Sequence, residues 1–116
     1  MKTPKPAVVA ALQGQGEPIL CEVAWEVCQQ LGGIYTVIRS KVPAMLSAWG
    51  DRYCLVGPYD PNLSPAEFEE SPPDGLYAEA LADLRAQGFE AHHGHWLITG
   101  RPRVVLLNPA SVFNRL

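Results

Sequence analysis

Positive charge is scarce in this chain: Lys and Arg number 9 against 12 Asp and Glu, leaving a formal net charge of −3 over 116 residues. A nucleic-acid surface is excluded on that ground, because phosphate binding needs clustered Lys and Arg. Long apolar runs are missing too, and none approaches the ~18 residues that a membrane span requires. Cysteine is sparse and odd in number, three at Cys21, Cys28 and Cys54, with no Cys-x-x-Cys pair. That pattern excludes a disulfide framework and fits reduced thiols used as small apolar residues. Lys2 and Lys5 precede an apolar stretch, but it covers only Ala7 to Leu12 and no small-residue cleavage pattern follows. A secretory signal is therefore not expected, and the cytoplasm is.

What is present reads as one α/β unit. Ile19, Leu20, Val23, Ala24, Trp25 and Val27 form a nearly continuous apolar run, so Pro18 to Glu26 is expected as a strand buried on both faces of a parallel sheet. Cys28 to Leu31 and the pair Gly32-Gly33 follow. Ile34, Val37, Ile38, Val42, Met45 and Trp49 then recur at helical spacing, with Pro43 expected to kink or divide the helix. Tyr53 to Gly57 is a second strand, and the proline-rich stretch Tyr59 to Pro73 an exposed connection. Asp74 can cap a second helix with Tyr77, Ala80, Leu81 and Leu84 on its apolar face, Arg85 in its last turn and Gly88 closing it. Phe89 to His93, Trp96 to Ile98 and Arg103 to Leu107 are further strands. Such alternation predicts a mostly parallel sheet. Ser111 to Leu116 open an element with nothing after it, so the chain is expected to be incomplete.

The glycine pair carries the chemistry. A Gly-Gly turn between a buried strand and an amphipathic helix lies at the carboxyl end of the sheet, where open α/β proteins bind ligands. Glycine permits positive φ and close approach of a phosphate, and the first helical turn offers unpaired N–H groups and a positive dipole end. By itself this pattern also describes an ordinary tight turn, and the full G-x-G-x-x-G and P-loop patterns are both absent.

Wider blocks narrow the choice. Glu22-Val23-Ala24-Trp25-Glu26-Val27, then Gly32-Gly33-Ile34-Tyr35-Thr36-Val37, closely resemble the N-terminal signature of the animal and fungal type of glycogen synthase. Trp49-Gly50-Asp51, Leu55-Val56-Gly57-Pro58-Tyr59, Trp96-Leu97-Ile98 with Gly94 and Gly100, and Val104-Val105-Leu106-Leu107 continue the resemblance in order. It implies a retaining glycosyltransferase that moves glucose from UDP-glucose to the non-reducing end of an α-1,4-glucan, without a cofactor or metal. The implied fold is GT-B, two Rossmann-like domains facing across a cleft. Residues 1–116 would then be the incomplete N-terminal domain, inactive alone, with the donor-binding C-terminal domain absent. The resemblance places Gly32, Gly33, Ile34 and Tyr35 against the donor phosphates, together with Gln30, where relatives usually carry Lys or Arg. No catalytic residue is expected within the chain. A non-catalytic sugar-nucleotide or glucan-binding module is the alternative, and an oligomer remains compatible with either.

Other candidates are weaker. His92, His93 and His95 resemble a metal cluster, but on a strand His92 points away from the other two, so edge or solvent-facing histidines are expected. Glu22 and Glu26 would share a strand face as hydrogen-bonded structural carboxylates. Glu67, Glu69 and Glu70 read as a solvated acidic face.

Overall fold

The computed structural model describes residues 18–113. Both the N-terminal apolar stretch and the final residues 114–116 lie outside them. Strand β1 spans Leu20–Val23, helix α1 Ile34–Trp49 and β2 Tyr53–Pro58; β3 is Phe68–Glu70, α2 Gly75–Ala86, β4 Ala91–Trp96, β5 Arg103–Leu107 and α3 Pro109–Phe113. Short 3-10 turns at Gly50–Arg52 and Ser64–Ala66 precede β2 and β3.

The strands form one sheet in the order β1-β2-β5-β4-β3. β1, β2 and β5 pair in parallel, while β4 runs antiparallel to both neighbours, so β4 alone is reversed. The expected mostly parallel sheet is thus present. Reversal of β4 follows from its connection to β5: the six residues between Trp96 and Arg103 are too few for a crossover helix and make a tight return instead.

Strand alternation sorts the core into two layers. Tyr53, Leu55, Val104, Leu106 and Trp96 face α1, where Tyr35, Ile38 and Val42 meet them. Cys54, Val105 and Ala91 face α2 and pack on Leu81, with Tyr77 and Leu84 at the margin. The central strands are apolar on both faces because a helix covers each face.

Four local expectations are corrected. The first strand ends at Val23 rather than Glu26 and is not buried on both faces: Val23 is 69% and Trp25 61% exposed. Once β1 stops, residues 24–33 turn, and Val27, Cys28 and Gln29 are buried again. Helix α1 runs unbroken through Pro43, which sits on the exposed side where water can satisfy the Arg39 carbonyl it leaves without a donor. The proline-rich connection contains a strand, β3, held by pairing Phe68 with Trp96 and Glu70 with Gly94. Ala91–Trp96 is a single strand where two were expected, because its ladder with β5 is continuous from Leu107 to Arg103.

The second helix starts and stops where composition places it. Asp74 occupies the N-cap, but its carboxylate reaches Arg103 (2.9 Å) and its main-chain carbonyl receives the Tyr77 and Ala78 N–H groups. Gly88, at φ +94°, allows Phe89 N–H to donate back to the Leu84 carbonyl (3.0 Å), the closing bond of a Schellman-type end. Arg85 donates twice to the Ala91 carbonyl and so ties that end to β4.

Candidate functional site

The carboxyl ends of β1, β2 and β5 converge on one edge of the molecule. Val23, Trp25, Pro58, Leu107 and Pro109 line a shallow apolar pocket of about 220 Å3 there. Gly57 forms its floor for a steric reason. A Cβ at Gly57 would lie 2.7 Å from Val27 Cβ and 3.0 Å from the Ala24 carbonyl, so the β1–α1 loop rests directly on the β2 backbone.

The glycine turn lies at the N-terminus of α1. Glu26 accepts from Gly32 N–H and Tyr35 N–H, both at 2.9 Å and both through Oε1. The first turn is therefore already met by a carboxylate of the chain, which suits its positive end. Among the described residues, the Gly33 and Ile34 amides carry no hydrogen bond. Neither glycine has positive φ, contrary to the conformational reason expected for the pair; Gly33 sits at φ −75°, ordinary for any residue. A Cβ at Gly33 would meet nothing within 4 Å, whereas at Gly32 it would come within 3.2 Å of the Glu26 carboxylate.

The expected site residues separate by burial. Gln30, Gly32, Gly33 and Ile34 are exposed around the turn. Tyr35 points the other way: its ring is buried, stacks edge-on against Trp96 at 5.7 Å, and its hydroxyl donates to Glu67 Oε1 at 2.6 Å. Burial, then the Glu67 hydrogen bond and charge, push the Tyr35 phenol above its usual range. Trp96 Nε1 donates to the same Glu67 oxygen at 3.1 Å. Glu67 is accordingly no solvated charge; it pins the β2–β3 connection to α1 and β4.

Glu22 and Glu26 are structural carboxylates, as expected, but not on a shared strand face. Glu26 lies in the turn, while Glu22 accepts from the Tyr53 hydroxyl (2.6 Å) and pairs with Lys41. No local pattern marks Glu26 as a helix cap, since a capping box places its carboxylate three residues from the cap and not six before Gly32.

The three histidines part company. His93 is buried, correcting the solvent-facing expectation; its Nδ1 donates to the Ser71 carbonyl (2.9 Å) and its Nε2 accepts from Arg103 (2.9 Å). Burial, with the nearby Arg103 and Arg101 charges, lowers the His95 pKa, so His95 is poorly suited to bind an anion. His92 lies on the opposite face against Glu70, Glu90 and Tyr59. Among the described residues no three His, Cys, Asp or Glu side chains group as metal ligands, and no helix is long and apolar enough to cross a membrane.

Known proteins resemble this chain along most of its length. It is 34% identical over 105 residues to "Glycogen [starch] synthase" of Dictyostelium discoideum, covering 90% of this chain and 12% of that protein. It is 40% identical over 93 residues to "Glycogen [starch] synthase, liver" of Homo sapiens, covering 79% and 13% respectively. With "Glycogen [starch] synthase" of Neurospora crassa it shares 38% over 96 residues, 82% of this chain and 14% of the relative. The chain thus spans between 12% and 14% of the length of these relatives. A protein-family model described as glycogen synthase matches residues 22–116, and the chain belongs to the glycogen synthase family.

Proposed function

We propose that this chain supplies one wall of the cleft of a retaining glucosyltransferase, which moves glucose from UDP-glucose to the non-reducing end of an α-1,4-glucan in the cytoplasm. On this reading residues 1–116 are the first part of a Rossmann-like domain of a two-domain GT-B enzyme. Gly33 and Ile34 present backbone amides toward the donor phosphates, Gly32 lies beside them with its own amide held by Glu26, Tyr35 anchors that turn from inside, and Gln30 stands beside it. Amides fixed in advance stabilise charge developing on a leaving phosphate without reorganising.

The observation that carries the reading is Gly33. It has an ordinary φ and open space around its Cβ position, so the fold has no need of glycine there. Leaving that space empty is what approach of a bulky anion requires. Glu26 holds the Gly32 and Tyr35 amides and so fixes the turn in place, with the Gly33 and Ile34 amides open beside it.

The test is Gly33→Val in the intact enzyme. Urea unfolding is expected to shift by no more than about 1 kcal/mol, the difference in helix-terminal propensity. The kcat/KM for UDP-glucose is expected to fall at least tenfold. Unchanged transfer would reduce the glycine turn to a structural turn. The 116-residue chain alone is expected to incorporate no radiolabelled glucose into glycogen; incorporation above background would overturn the division of labour between domains.

A further inference from the structure

Two cysteines that are distant in sequence meet as register partners on adjacent parallel strands, Cys21 on β1 and Cys54 on β2. In-register residues of a parallel pair point to the same face, and both side chains belong to the cluster under α2 with Leu81, Ala91 and Val105. Neighbouring strands lie about 4.8 Å apart, within the Cα separation that a disulfide spans. Both are free thiols. Their exposures differ: Cys54 is enclosed, whereas Cys21 is half-buried on the edge strand.

We propose that Cys21 and Cys54 form a reversible thiol–disulfide couple that responds to hydroperoxides. The half-buried Cys21 thiolate attacks the hydroperoxide; an S–O bond forms, the O–O bond breaks, and the alcohol (or water) leaves with a proton, giving a sulfenic acid. The Cys54 thiol gives up its proton and its sulfur attacks Cys21 sulfur. The S–S bond forms, the S–O bond breaks and water leaves. Two thiols are oxidised by two electrons, and one hydroperoxide is reduced to an alcohol and water. The thiol environments suit this order of events. The neighbouring Cys54 thiol lowers the Cys21 pKa against the effect of burial, while the same contact and burial raise that of Cys54. Cys28 stands apart as an inert thiol, buried within the β1–α1 loop and pushed far up by desolvation and then by the Glu67 charge. A bridge between adjacent parallel strands stretches the preferred Cβ separation, which makes it readily reduced and therefore suited to switching.

The experiment treats the full chain with a few equivalents of hydrogen peroxide, blocks remaining thiols, and maps peptides by mass. Combined cleavage after basic residues and after glutamate places Cys21, Cys28 and Cys54 on separate peptides. The expected product is a Cys21–Cys54 linked peptide with two hydrogens lost, reversed by dithiothreitol, with Cys28 alkylated as a free thiol. Cys21→Ser is expected to lower loss of the Cys54 thiol at least tenfold, and Cys28→Ala to leave the cross-link in place. Sulfinic acid at Cys21 with Cys54 still reduced would overturn the proposal. So would disulfides that join two chains. The wild-type map decides the matter even where a variant folds poorly.

Discussion

Single residues at the glycine turn divide into those that build it and those left open beside it. Glu26 builds it, and Glu26→Ala is expected to destabilise the fold by about 1–2 kcal/mol, the cost of losing a helix N-terminal acceptor. Glu26→Gln, which keeps an oxygen acceptor, is expected to cost less than half as much; urea midpoints compare the two. Gln30 is exposed, so Gln30→Lys is expected to leave stability within about 0.5 kcal/mol. In the intact enzyme the added cation is expected to lower the KM for UDP-glucose several-fold, with a steeper salt dependence, as a charge-assisted contact with phosphate would. Gly94 is constrained for a different reason: a Cβ there would sit 2.1 Å from the Glu69 carbonyl of the paired strand. Gly94→Ala is expected to part β3 from β4 and cost about 3 kcal/mol, read by thermal unfolding and by exchange of the β3 amides.

At the level of elements, α1 tolerates a proline and β3 depends on a charge. Pro43 lies inside α1 on its exposed side. Pro43→Ala restores a donor to the Arg39 carbonyl and is expected to stabilise the chain by about 1–3 kcal/mol, less what the unfolded state regains in freedom. His92 on β4 reaches Glu70 on β3 (2.9 Å) and Glu90 (2.8 Å), one carboxylate on each ring nitrogen, and stacks on Tyr59 at 3.9 Å. Asn108 donates to the other Glu90 oxygen and completes the surroundings of the ring. Burial alone would lower the His92 pKa, but the hydrogen bonds and charges of Glu90 and Glu70 outweigh it and raise the pKa above the ordinary value. A raised folded pKa contributes stability in full below the unfolded value of about 6.5 and loses it as pH rises through the folded value. Urea midpoints are therefore expected to fall from about pH 6 to mildly alkaline pH. His92→Phe, which keeps the stack and removes the charge, is expected to flatten that slope; an equally steep slope in the variant would assign it elsewhere.

Across the whole molecule, the apolar residues not covered by α1 or α2 gather at the carboxyl edge and the glycine turn, where Val23, Trp25, Leu31, Ile34 and Val37 are all more than half exposed. The chain alone is expected to bind an apolar fluorescent dye, and Trp25→Glu to reduce that signal measurably; unchanged dye binding would place the exposed apolar surface elsewhere. The alternation of strands and helices, the stop of α2 at Gly88 and the strands at Tyr53 to Gly57 and Arg103 to Leu107 were legible in sequence because each rests on local periodicity or on one residue's backbone freedom. Family blocks such as Gly32-Gly33-Ile34-Tyr35 likewise located the turn and its relatives. The extent of β1, the strand hidden in the proline-rich connection and the single reversed strand depended on ladder partners far along the chain, which local pattern does not contain. The roles of Glu26 and Glu67 were decided the same way. A carboxylate looks alike in any sequence, and only folding brings Glu26 to the amides of α1 and Glu67 to Tyr35 and Trp96. Sequence established the succession of strands and helices and where the chain had to turn; tertiary structure decided which residues of the first strand and which histidine were buried and which polar groups met, because burial and hydrogen bonds form across space between elements that periodicity places but does not pair.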